Sequence, residues 1–432
     1  MAAAAEAAAK AGTWAEAAAE AEAAYELHDS YSIEHKRALQ RHTARASELL
    51  DALQPASLRE RTTLAFLRGK VLDASPAYSA EAEALLTRTV KLDPKNVDAW
   101  NVLGECLWKG GQLELSRACF REALKVRTNA DSLCQLSMLL RSMSSSSSGA
   151  NPALLESLRL AKDAVTLGPD CGRSWGVLGN AYLSNYFGTY PHRLEDLHLA
   201  LKAYRRAASS PHRAQFDCAD LWYNQGIVLH YLLDYAGACE AFERAHELGP
   251  ELNAAAQRRV LLAFGRKCAA AIEARGHLPR KRLQQLEKVL RAHPLAAAEA
   301  RAVTVAELAP GANAGASLSA SVVAELLPAA QTPLCYVLVD STGESILLAV
   351  YGILPSAVGV YQVVTVLGPE RRTVCLPGDG ATPGLSYDVL VVEEPTSQML
   401  VQGKPLAAAQ VGRARVTSTA TAYLNQNNAL RS

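Results

Sequence analysis

One pattern recurs as far as Pro250 and leaves the chain few folds to choose from. Trp100 is followed by Leu103-Gly104, Gly111, Phe120 and Ala123, and Trp222 by Gly226, Ala238, Phe242, Ala245 and Pro250. Trp175 leads to Leu178-Gly179 and Tyr182, and the pattern resumes at Ala200, Tyr204 and Ala207 after an insertion. Leu67-Arg68-Gly69 with Leu86 and Pro94 is a weaker copy, and a degenerate one ends at Ala164 and Pro169. Such residues suit a pair of antiparallel helices. The Gly and the small Ala let two backbones approach closely, Phe and Ala on the second helix face the next unit, and Pro closes the unit because helices do not run easily through it. One pair alone leaves an apolar face exposed, so at least three must stack.

The spacing is that of the tetratricopeptide repeat, about 34 residues long. The expected organisation is an N-terminal helical segment over 1–60, repeats over 61–253 and basic capping helices over 254–297. Near residue 300 the composition changes. From Gly311 to Ser432 only 14 residues are charged, and all five Trp and all six Phe precede Gly311. Short runs of Val, Leu, Thr and Tyr broken by Gly and Pro then read as strands: 301–308, 317–326, 334–339, 345–354, 358–367, 373–376 and 387–393. Asp340-Ser341-Thr342-Gly343 suits a hairpin turn. The uncharged stretch between Glu344 and Glu370 reads as two buried strands rather than a membrane span. The fold class expected is therefore an α-solenoid followed by a small oligonucleotide/oligosaccharide-binding (OB) β-barrel over 298–418, with a disordered tail over 419–432.

Function is narrowed mostly by exclusion. A net charge of +1 argues against gripping nucleic acid along the whole length. Nine widely spaced cysteines without CxxC fit reduced thiols in the cytoplasm or nucleus. The Ala-rich N-terminus carries Glu6 and Lys10 and reads as helix, not as a signal peptide. P-loop, GxGxxG, HExxH and GxSxG motifs are absent and the histidines are scattered, so the reading is a non-enzymatic binding protein with no cofactor and no metal. Single-strand binding by the barrel would want aromatic platforms over a basic groove. The barrel segment has no Trp or Phe, and Tyr336, Tyr351, Tyr361, Tyr387 and Tyr423 are expected in its core or rim.

Polar residues on the first helix of each repeat are the candidates for ligand contact. Asn180 follows the repeat Gly179 and could hold a peptide backbone or bridge two helices. Arg141 ends an apolar helix, where it could meet a ligand or complement the helix C-terminus. Asp220 opens a helix as a ligand contact or an N-terminal cap. Ser142–Gly149 and Tyr190-Pro191-His192 read as irregular loops. Between Arg258 and Arg291 ten Lys/Arg face two Glu, densest at Arg280-Lys281-Arg282, which suits either a solvated face or a phosphate contact.

Several segments together resemble one family. They are Leu103-Gly104 with Trp108 and Lys109; Ser132-Leu133, Leu136-Ser137-Met138 and Leu140-Arg141; Gly172-Arg173-Ser174-Trp175 with Leu178-Gly179-Asn180-Ala181-Tyr182-Leu183-Ser184; and Leu338-Val339-Asp340-Ser341 with Gly403-Lys404-Pro405. They look like the tetratricopeptide repeat protein five (Strap) family, a repeat array followed by an OB-fold domain. The resemblance implies a cytoplasmic adaptor. It would recognise the N-terminal peptide of nascent α- and β-tubulin on the ribosome, meeting ribosomal RNA and exit-site proteins, and trigger tubulin mRNA decay through an mRNA-decay adaptor. It implies, alternatively, a nuclear stress-response cofactor for a tumour-suppressor transcription factor and its acetyltransferase coactivator. Single-strand nucleic acid binding by the OB domain is a third, weaker reading. Arg141 and Asp220 match positions that contact the tubulin peptide. Lys91 and Arg280–Arg282 match positions of ribosome contact. A further acidic peptide contact falls at Ala254 here, with Glu251 the nearby acid. No membrane partner is implied.

Overall fold

The computed structural model describes residues 2–27, 33–144, 151–189, 193–211, 218–292, 300–327, 333–378 and 382–411. The loop residues 145–149 and 190–192, Tyr423 and the tail at 419–432 lie outside them. The array consists of α1 (Ala2–Glu26), α2 (Ile33–Ala52), α3 (Leu58–Asp73), α4 (Ala80–Leu92), α5 (Val97–Lys109), α6 (Leu113–Val126), α7 (Ala130–Met143), α8 (Pro152–Leu167), α9 (Gly172–Gly188), α10 (Leu194–Ala208), α11 (Ala219–Tyr231) and α12 (Tyr235–Leu248). Caps fix where helices begin. Ser57, Ser79, Asn96, Asn129 and Asn151 each accept a backbone N–H of the first turn.

Close approach within each pair depends on its glycine. A Cβ at Gly104 would lie 2.6 Å from the Phe120 ring, and one at Gly226 2.7 Å from Phe242; Gly179 presses on Tyr204 in the same way. Between pairs the indole of Trp100 donates to the Pro94 carbonyl at 3.0 Å, and that of Trp175 to Pro169 at 2.7 Å. The closing proline of one unit is thus an acceptor for the tryptophan of the next. The odd-numbered helices α1 to α11 pack on one another in succession, and each even-numbered helix wedges beside its odd neighbours. Because its helices touch one another directly from pair to pair, the odd row is the inner one. The N-terminal segment is part of this stack: α1 and α2 form a further pair packed on α3.

Helices α13 (Ala254–Glu273) and α14 (Arg280–Ala292) follow the last repeat and join it to the sheet. One side of α13 packs on α12 and another on the sheet, and α14 lies along β3. The link between them holds Arg275, Gly276 and His277 at positive φ of 48°, 66° and 60°, pressed against Val323. Left-handed backbone at two non-glycine residues is costly, and contact with the barrel holds it in place.

The sheet contains β1 (Arg301–Val303), β2 (Gly311–Ala312), β3 (Ala316–Leu326), β4 (Leu334–Val339), β5 (Ser345–Val350), β6 (Val363–Leu367), β7 (Glu370–Leu376), β8 (Leu385–Val392), β9 (Met399–Val401) and β10 (Lys404–Pro405). Its central order is β6-β3-β4-β5-β8, antiparallel except for the parallel β5–β8 pair, which is the curled OB arrangement. Three expected strands are shorter. Residues 301–308 pass from β1 into a 3₁₀ turn, 345–354 ends as strand at Val350, and 358–367 becomes strand only at Val363, because Tyr361 sits at φ 72° in a turn. The Asp340 turn is as expected: its buried carboxylate accepts N–H groups from Thr342 and Glu344 at 2.8 and 3.1 Å, and from Val305 across the sheet.

Both faces of the central strands are buried. Inward residues Tyr336, Leu338, Leu348 and Leu390 form the barrel core, whereas the alternate Val337, Val339, Leu347 and Val391 belong to the core that continues into the array. This two-sided burial is why the segment reads so apolar. Among the described residues no helix is long and apolar enough to cross a membrane.

Candidate functional site

Arg141, Asn180 and Asp220 fall on α7, α9 and α11, three consecutive helices of the inner row. Asn180 Oδ1 accepts from the Tyr204 hydroxyl at 2.7 Å and from Asn224 Nδ2 at 2.9 Å. Tyr204 stands where other copies carry Phe120 and Phe242, so one hydroxyl in an otherwise apolar position orients the amide. The Asn180 oxygen serves the inter-helix bridge, and its NH2 is what remains to meet a ligand carbonyl. Asp220 lies in the first turn of α11, one helical turn before Asn224, and so shares its face. An acid there also suits the positive end of the helix. Arg141 donates to Ser137 Oγ at 3.3 Å, and its charge acts on the buried Tyr204 phenol. Burial pushes that phenol far above its usual range. The groove therefore carries a cation, an amide donor and a carboxylate on neighbouring helices.

Polar side chains missed in the sequence continue this row toward the N-terminus. Lys70 pairs with Glu22 and lies 4.9 Å from the centre of the Tyr25 ring. Lys109 pairs with the fully buried Asp73 at 3.1 Å, and Tyr25 donates to Glu105. These groups are matched within the protein and dock α1 onto α3 and α5. Only their place directly after a repeat glycine, or one turn beyond that, as in Lys70 after Gly69 and Glu105 and Lys109 after Gly104, could have signalled a shared inner face.

Ala254 is fully buried at the start of α13 and presents nothing to a ligand. Glu251, in the preceding 3₁₀ turn, lies 3.6 Å from Lys36 of α2. Lys91 is exposed in the last turn of α4, away from Arg280, Lys281 and Arg282, which occupy the first turn of α14. Arg280 and Lys281 are exposed and have no carboxylate partner among the described residues. Arg282 lies over the Tyr361 ring at 4.9 Å. Among the described residues no group of His, Cys, Asp and Glu could hold a metal ion.

Stacked helix pairs with a polar inner groove, sealed at one end to a small β-barrel, define a helical-repeat adaptor that binds other proteins. Comparison places the chain more narrowly. The family model described as Tetratricopeptide repeat protein 5 OB fold domain matches residues 299–415, and tetratricopeptide repeat models match 79–132 and 219–252. The human protein named Tetratricopeptide repeat protein 5 is 33% identical over 378 residues, covering 84% of this chain and 85% of that one. Its Bos taurus counterpart is 34% identical with the same coverage. The chain belongs to the tetratricopeptide repeat protein 5 family. Among solved structures, the APC/C hetero-tetramer Cut9-Hcn1 aligns with a TM-score of 0.42 at 13% identity, over 61% of this chain and 47% of that one.

Proposed function

We propose that this adaptor reads the N-terminal peptide of nascent α- or β-tubulin at the ribosome and, through an mRNA-decay adaptor, triggers decay of tubulin mRNA in the cytoplasm. The observation that carries this is the convergence of Arg141, Asn180 and Asp220 on three successive inner helices. A peptide with adjacent basic and acidic side chains could place the acid against Arg141 and the base against Asp220. Asn180 Nδ2 would donate to its backbone. Opposite charges across a groove set register and discriminate between partners more than they add raw affinity. The cations of α14 support a second, separate contact. Three positive charges in a helix's first turn oppose the positive end of its dipole, so helix stability does not account for them. Ribosomal RNA phosphates would.

Titrating a labelled tubulin N-terminal peptide against wild type and Arg141→Ala tests the groove. Affinity should fall by about tenfold or more, since removing one partner of a charge-assisted contact leaves the other unmatched. Unchanged affinity would remove Arg141 from the site. Charge reversal at Arg280, Lys281 and Arg282 should abolish co-sedimentation with ribosomes while free peptide still binds. Two weak contacts on one particle act as a bivalent pair, so losing either forfeits most of the avidity. Retained co-sedimentation would end the ribosomal reading of this patch.

A further inference from the structure

Two local costs meet where α14 crosses the barrel. Tyr361 holds φ 72°, a left-handed conformation that is costly for a bulky side chain. Burial does not repay it: the residue is 46% exposed, the neighbouring Val360 is 41% exposed, and the phenol makes no hydrogen bond among the described residues. The backbone is nonetheless firmly held. Tyr361 N–H donates to Val322 at 2.7 Å, Val322 N–H returns a bond to Gln362 at 2.9 Å, and the Gln362 side chain accepts from Gly359 N–H at 2.8 Å. The second cost is the cationic first turn of α14, whose Arg282 guanidinium lies over the Tyr361 ring. Leu283 and Leu286 are buried in the core beneath, so α14 cannot swing the cations away.

We propose that Tyr361, backed by Arg282, is a stacking platform for an unpaired base of ribosomal RNA, with Arg280 and Lys281 on the flanking phosphates. The inference rests on the ribosomal reading of the α14 cations and names the chemistry they recognise. Sequence-tolerant capture of single-stranded RNA combines an aromatic face with a cationic track, and both are present here. The site is not the usual face of an OB barrel. That face, formed by β4 and β5, is covered by α13 over β5 and by the Arg275–His277 turn over β4, and the platform sits on the turn before β6 instead.

The informative variant is Tyr361→Gly, which removes the ring and relieves the backbone strain together. Its melting temperature should equal or exceed that of wild type. Its affinity for salt-washed ribosomes, measured by co-sedimentation, should fall roughly five- to a hundredfold, the range expected for one stacked base. The salt dependence should keep its slope, because no phosphate contact is lost. Tyr361→Phe should bind like wild type, and a fluorescein-labelled single-stranded RNA followed by anisotropy should rank the three proteins in the same order. If charge reversal at Arg280 and Lys281 abolishes ribosome binding while Tyr361→Gly binds normally, the platform is wrong and the ribosomal reading stands. If neither change matters, both are wrong. If Tyr361→Gly loses a protein partner but keeps the ribosome, the platform is again overturned.

Discussion

Asn180 shows what a single side chain adds to a repeat scaffold. Its place on the inner row followed from the repeat register, but its orientation did not, because that depends on Tyr204 and Asn224, distant in sequence. Tyr204→Phe would restore the residue used in the neighbouring copies. It should cost no more than about 1 kcal/mol in denaturant unfolding, since one neutral hydrogen bond is lost from a position that accepts Phe elsewhere. Tubulin-peptide affinity should still fall several-fold as the amide loses one of its two guides, and unchanged affinity would detach Asn180 from the ligand. His230, at the end of α11, gives a second test. Burial pulls its pKa down to about 4, overriding the helix C-terminus, which favours the cation. The unfolded chain protonates near 6.5, so between there and about 4 it binds more protons than the native state. Stability is therefore intact above pH 6.5 and lost as pH falls through that window, by a few kcal/mol at about 1.4 per pK unit. His230→Gln should flatten this part of the stability profile, and an unaltered acid limb would assign it to other groups.

At the scale of elements the repeat glycines carry the sharpest expectation. Gly179→Ala drives a methyl into the Tyr204 ring, and overpacking of this kind costs typically 1–3 kcal/mol. Peptide binding should weaken as well, because the displaced ring carries the hydroxyl that holds Asn180. A variant with wild-type melting temperature would show that the helix pair can splay at no cost. Helix pairs were legible because Trp, Gly, Ala and Pro each answer a packing demand at a fixed step. Several strands were legible because runs such as Leu334–Val339 admit little else. What stayed hidden were elements whose conformation is imposed from outside. The turn at Tyr361 breaks an otherwise strand-like run, the 3₁₀ turn after Val303 follows a strand of three residues, and β9 and β10 are too short to show a period. The role of α13 was hidden for the same reason. Its cations suggested solvent, whereas Leu261, Leu262, Cys268 and Ala271 face two neighbours at once.

For the whole molecule, the consequence of α13 is that array and barrel share a core. Gly265 lies so close to Leu376 that a side chain there would clash. The buried Tyr351 hydroxyl donates to the Tyr231 carbonyl of α11, Ser345 Oγ donates to the Ile272 carbonyl of α13 at 2.8 Å, and burial raises the Tyr235 and Tyr351 phenols well above their usual range. A barrel cut free would expose the outer face of β4, β5 and β8, which bears Val337, Val339, Leu347 and Val391 and would invite aggregation. We therefore expect α9 to α13 and the barrel to unfold as one cooperative unit, although long repeat arrays can fray at their far end. The chain supplies its own probe, since all five tryptophans precede the barrel. Leu376→Ala, made in β7, removes packing against Gly265 and should cost about 2–5 kcal/mol. The drop should appear in tryptophan fluorescence, reported by Trp175 and Trp222, and at the same midpoint in hydrogen exchange of the β4 and β5 amides. A fluorescence midpoint that stays in place while those amides lose protection would mean that the domains unfold independently. The barrel would then be a passenger on the array, and the proposed platform at Tyr361 would not be held at a fixed distance from the peptide groove.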